Sequence, residues 1–277
     1  APAVKPQRVV GARATARTSA NLLRTAIRQC AIGVLGGMLV GFLVLGGGLR
    51  LLMRLSALLT DTGGYRMVTQ EGNAVGEVTL GGTLSLMLFI GALFGALGGI
   101  MVMAVRPWLP TTGWSRYLLA GAIGFAVAGP AVLEQGDNPD YQRFGLLGLN
   151  ICLFTILPFL FGIAVLPVLD ALDRRIPQEL PGRSRTWTDL AKSAGLITLA
   201  LPMIAIVPAA IGTPPIGLLL LLPVARVLAN RWSDHAPTRL LKQQRAARGE
   251  LLGRLLLATP CLFGLILTAQ AIGRLTS

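Results

Sequence analysis

Charge is scarce in this sequence. Asp, Glu, Lys and Arg make up 13% of its 277 residues, against ~25% in an ordinary soluble domain. Acids are the scarcer sign, 12 against 25 basic residues, for a formal net charge of +13. There is one histidine, His235, which excludes bis-histidine haem ligation and a histidine-based metal cluster. The three cysteines, Cys30, Cys152 and Cys261, are odd in number, lack metal-site spacing and lie in or beside apolar runs. That excludes a disulfide framework and reads as small apolar filler. No P-loop, His-Glu-x-x-His, Gly-x-Ser-x-Gly or Cys-x-x-Cys motif occurs, and no acid falls in the middle of an apolar run. Nucleotide, zinc-hydrolase, serine-hydrolase and thiol-redox chemistry of those kinds lose their usual signatures, as does a carboxylate proton relay. No cofactor and no metal are expected.

What is present is apolar. Hydrophobic residues are 53% of the chain, which rules out disorder and an ordinary cytosolic enzyme and points to an integral membrane protein. A spanning helix needs about 20 apolar residues. Seven stretches qualify: Ala31 to Leu49, continuing towards Leu59; Thr83 to Val105; Tyr117 to Leu133; Leu146 to Leu169; Ala194 to Ile211; Ile216 to Ala229; and Leu255 to Ile272. The sixth is short and holds Pro223, and Gly212-Thr213-Pro214-Pro215 ties it to the fifth. A turn of that composition makes a helical hairpin; if the hairpin re-enters without crossing, the spans number five. The predicted class is an all-α polytopic bundle with a basic tail (1–29), a transmembrane domain (30–277) and a basic cytoplasmic segment (230–254).

The position of the basic residues predicts orientation. With the N-terminus in the cytoplasm and seven alternating spans, 20 of the 25 basic residues fall on the cytoplasmic side, while the acids divide evenly. A bias in Lys and Arg without one in acids is the form of the positive-inside rule. The tail is Arg-rich and acid-free, a composition that transit peptides share; it is read here as a topogenic tail. Arg far outnumbers Lys, and Ala, Gly, Leu and Pro abound, so the expected location is a bacterial plasma membrane. All four tryptophans fall on the cytoplasmic side, and Trp108 and Trp114 with Tyr117 suit an interfacial belt. On the outer side, 61–82 holds two β-prone runs, 66–69 and 77–80, around a turn-rich centre, and predicts a small hairpin.

Four groups of residues stand out. Gly33, Gly37 and Gly41 form one ridge and Gly91, Gly95 and Gly99 another, with Ala120, Gly124 and Ala128 repeating the spacing on the third helix. Lipid offers little hydrophobic drive between helices, so such ridges allow the close backbone approach that does the work. They predict tight packing of the first three helices, or contact with a second copy or a protein partner. Arg50 and Arg54 lie one turn apart at an apolar helix end, costly unless paired or snorkelling. With Glu134, Asp137 and Asp140 they compose a candidate anion or headgroup site, although the three acids also suit a plain loop. Asn150, inside the fourth span, is expected to bond a neighbouring helix. Arg239, Lys242, Arg245 and Arg248 recur near helical spacing and would attract anionic lipids on the cytoplasmic face; nucleic acid is not expected. Function is read mainly from absences: a non-catalytic accessory or scaffold subunit of a membrane complex. A small-molecule or lipid-related transporter built on Arg50 and Arg54 is the alternative, and a lipid-modifying enzyme the third.

Overall fold

The computed structural model describes residues 25–59, 79–134, 147–176 and 239–276. They are almost entirely helical, with no strand among them. Five helices are long and apolar enough to cross a membrane: α1 Thr25–Leu59, α2 Leu80–Trp108, α3 Trp114–Glu134, α4 Leu147–Arg175 and α5 Arg239–Thr276, whose apolar part is Gly253–Thr276. The chain is a membrane protein of the all-α class. The apolar segment 194–229 and residues 61–78 of the expected hairpin lie outside the described residues. Where the run 77–80 enters them it is not a strand. Thr79 is the N-cap of α2: its Oγ1 accepts from the Gly82 N–H at 3.3 Å, and its carbonyl accepts from Thr83 Oγ1 at 2.7 Å. A threonine three residues ahead of Gly82 offers the capping oxygen that a helix start needs, and that local bond outweighs β-propensity at Thr79.

The glycine ridges of α1 and α2 face each other. A Cβ on Gly37 would run into the Gly95 carbonyl, one on Gly41 into the Gly91 carbonyl, and one on Gly99 into the Gly33 carbonyl. Backbone therefore lies on backbone along the pair. At the level of Gly41 and Gly91 both helices widen together into π turns, Gly41–Gly47 and Leu86–Ala92, so neither loses register with the other. Since the ridges are consumed within the chain, a second copy or a partner would have to use another face.

The small-residue face of α3 does not join that pair. Gly124 lies on the Pro158 carbonyl of α4, at 2.5 Å from an added Cβ, and Gly162 of α4 lies on Ala120. The expected three-helix packing is thus corrected to two pairs, α1 with α2 and α3 with α4. Helix α5 closes on α3 through Gly264 against Ala126, and on the end of α2 through Gly253 against Trp108. Between the pairs Leu169 lies against Gly36, Leu157 against Gly48 and Phe161 against Gly98, and buried side chains pack across: Ile32, Val40 and Met103 with Phe161, Val165 and Leu169, and Leu97, Met101 and Val105 with Ala120, Ile123 and Val127. The core lies along this joint, with Val165, Leu166 and Leu169 of α4 fully buried.

Two features define the ends. Helix α2 leaves through a tight turn at Arg106–Trp108, with Pro107 in it, and α3 begins after Gly113, whose φ of +91° only glycine adopts at little cost. Helix α5 has 38 residues, about 57 Å at 1.5 Å per residue, against a hydrocarbon core of about 30 Å. Its first third, 239–252, precedes the apolar part.

Candidate functional site: an ionic cluster at one end of the bundle

Five charged side chains from four helices meet at the end where α1 starts, α2 ends, α3 starts and α4 ends. Asp170 and Asp173 lie one turn apart on the last turns of α4. Arg106 bridges them, 2.8 Å to Asp170 Oδ1 and 2.8 Å to Asp173 Oδ2. Arg116, in the first turn of α3, holds both oxygens of Asp170 at 2.8 and 3.1 Å. Arg28 of α1 reaches Asp173 Oδ1 at 2.7 Å, and its second nitrogen donates to the Asp173 and Ile176 carbonyls at 2.8 and 2.7 Å.

Each contact follows from local structure. The last carbonyls of α4 have no partner within the helix, and a cation there meets both those oxygens and the negative end of the helix dipole. Arg28 supplies it with a side chain only 9% exposed. Arg106 stands at the tight turn that ends α2, and Arg116 follows the Gly113 turn, so the α2–α3 connection delivers two guanidiniums to one carboxylate. The fork of Arg116 matches the two oxygens of Asp170. All four carboxylate oxygens accept from arginine. Three cations against two anions leave one positive charge. The arrangement ties helices, with every carboxylate oxygen engaged by at least one guanidinium N–H. Among the described residues no group of three or more His, Cys, Asp or Glu side chains is placed to hold a metal ion.

The residues singled out by sequence are placed as follows. Arg50 and Arg54 lie on α1 and are half-buried, while Leu51, Leu55, Leu58 and Leu59 take the exposed positions. Arg50 reaches the first turn of α2: its Nη2 is 3.7 Å from a Cβ built on Gly82. Glu134 ends α3 with its side chain outside the description, and Asp137 and Asp140 lie outside it altogether. The proposed arginine–carboxylate grouping is therefore described only in its arginine half. Asn150 is 2% exposed, and its Oδ1 accepts from Ser56 Oγ of α1 at 2.7 Å, tying α4 to α1 at the end opposite the ionic cluster. Arg239, Lys242, Arg245 and Arg248 fall on the projecting part of α5, where the backbone alone is described.

Sequence reasoning counted Arg28, Arg106, Arg116, Asp170 and Asp173 as topology signals and missed them as a cluster. Arg28 was assigned to the tail, whereas α1 already begins at Thr25. The available signal was Asp170-x-x-Asp173 on one face of a helix, flanked by basic residues at every other helix end on the same side. No family model matches this sequence, and no curated protein and no solved structure matches it either.

Proposed function

We propose that the protein is a non-catalytic accessory or scaffold subunit of a bacterial plasma-membrane complex. One observation carries this reading: the two carboxylates whose side chains are described, Asp170 and Asp173, are both saturated by arginines of the same chain. The charge of these two acids is spent on holding four helices together. The Lys/Arg bias supports a cytoplasmic location for the ionic end and the N-terminus. The projecting basic part of α5 is then cytoplasmic, where it meets anionic lipid or a partner. Residues Ile176 and Gly253 stand at the same end of the bundle, beside Arg28 and Trp108 respectively. Seven spans result if 194–229 crosses twice. The test is gentle extraction into polymer-bounded native discs followed by mass measurement of the intact particle. A stoichiometric second polypeptide is expected; a particle holding only this chain overturns the reading.

A second reading is favoured by the two helix groups that the close glycine contacts define, α1 with α2 and α3 with α4 and α5. Carriers work by moving one group of helices against another. In that case Arg50 and Arg54 would serve an anionic solute or headgroup, and reconstituted vesicles would show saturable uptake that R50Q abolishes.

A further inference from the structure

We infer that the facing π turns of α1 and α2 are a register device: each takes in one extra residue, and together they turn Arg50 away from the exposed side of α1 and onto the first turn of α2. This goes beyond both readings above and depends on neither.

Two contacts fix the register. Gly41 lies on Gly91, and Arg50 lies beside Gly82. Arg50 stands nine residues after Gly41, and Gly82 stands nine residues before Gly91. At 3.6 residues per turn, nine residues make about two and a half turns. Straight α-helices would therefore set Arg50 opposite Gly41, and Gly82 opposite Gly91, so that the two contacts could not share one interface. A π turn closes on the fifth residue rather than the fourth, and so takes in about one extra residue, about 100° of rotation. Gly41–Gly47 and Leu86–Ala92 are such turns. One in each helix swings Arg50 and Gly82 back toward the same side. The glycine ridge of α1 gives the same count. Gly33, Gly37 and Gly41 are four residues apart, but the next glycine on the backbone of α2 is Gly46, five residues on, where a Cβ would fall 2.5 Å from the Met87 Cα. Arg50 follows Gly46 by four residues and extends the ridge.

The alternative position shows what the device avoids. Without the π turn, Arg50 would fall in line with Leu39 and Leu43, which stand eleven and seven residues before it, each close to a whole number of turns. Both leucines are exposed, and a guanidinium in that row would meet hydrocarbon at a high cost. In the structure Arg50 is half-buried, and Leu51, Leu55 and Leu58 take the exposed positions instead. π turns are rare and occur mostly as single interruptions of α-helices. Two of them facing each other across one helix pair is what a shared change of register requires, since a turn in one helix alone would carry either Arg50 or Gly82 off the interface.

The experiment compares two one-residue deletions in the full, detergent-purified chain. Deleting Leu43 removes an exposed residue from the π turn and leaves Gly41 and Gly46 at the ordinary ridge spacing. Deleting Leu39 removes an exposed residue from plain α-helix and brings Gly37 and Gly41 out of line. The chain without Leu43 is expected to melt within about 3 °C of the parent. The chain without Leu39 is expected to melt about 8 °C lower or more, or to yield no folded species. The place of Arg50 is read separately, with Cys30, Cys152 and Cys261 replaced by alanine. Arg50→Cys and Gly82→Cys are bridged by a bifunctional thiol reagent about as long as an arginine side chain, and intact mass counts the chains in which one linker joins both thiols. Bridging is expected in the parent and in the chain without Leu43. It is expected to fall about threefold or more when one alanine is inserted after Leu43, which turns position 50 by about a further 100°. A deletion of Leu43 as damaging as that of Leu39, no bridging in the parent, or bridging unchanged by the insertion overturns the proposal.

Discussion

At the residue scale, what separates a structural charge from an available one is how many of its bonding sites are filled. Arg106 is the only residue in the ionic cluster that touches both acids. Its replacement by Gln leaves Asp170 with Arg116 and Asp173 with Arg28, so no acid is orphaned, yet the link between α2 and α4 is lost. Breaking a fully buried pair costs about 3–5 kcal/mol. Arg106 is a quarter exposed, and solvent screening brings the expected loss for R106Q down to about 1–3 kcal/mol. Thermal melting of the detergent-purified protein should show it plainly. R116K keeps the charge and loses only the two-pronged grip, so it should melt between R106Q and the parent. Equal melting of all three would mean that the cluster is solvated and ties nothing. The residues of this cluster were legible one by one as charges near helix ends. Which arginine meets which aspartate was not, because that depends on how α2 and α4 lie side by side.

At the element scale, the glycine spacing on α1 and α2 announced a smooth face, and such a face has to lie against something. Spacing does not say against what. The structure puts ridge on ridge, and the penalty for added bulk follows. A Cβ at Gly95 meets the Gly37 carbonyl and comes within 2.6 Å of the Gly41 Cα. Neither backbone atom can step aside, so Gly95→Ala is expected to cost about 1–3 kcal/mol as an overpacking change, and Gly95→Leu to prevent a stable α1–α2 pair. Gly81 is the control: no atom lies within 4 Å of a Cβ placed there, and Gly81→Ala should stay within about 0.5 kcal/mol of the parent. Loss of the folded species in size-exclusion chromatography, against retention for Gly81→Ala, checks both. The same scale explains the error over α3. Its small residues repeat the spacing of the first two helices, but α4 offers Pro158 and Gly162 as the complementary surface, and shape complementarity chose the partner. Of the β-prone run at 77–80 only Thr79 and Leu80 are described, and Thr79 there caps α2.

At the scale of the whole molecule, five described helices alternate in direction, with residues 28, 106, 116, 173 and 253 gathered at one end and residues 56, 82 and 150 at the other. A cysteine introduced at Thr25 and one at Thr276 should therefore react with an impermeant reagent from opposite sides of a sealed vesicle. Cysteines at Ile176 and Leu252 should react from the same side. Reaction of the first pair from one side would refute the alternation. By itself the sequence determined the class and the position of each described span to within a few residues, because lipid imposes length and hydrophobicity on any segment that crosses it. Neighbourhood was left to the tertiary structure. It chose α4 as the partner of α3, brought Arg28 in from the tail to cap α4, and gathered five charges into a knot. Those choices depend on how surfaces fit across tens or hundreds of residues of sequence, and the periodicity of a single helix carries no record of that fit.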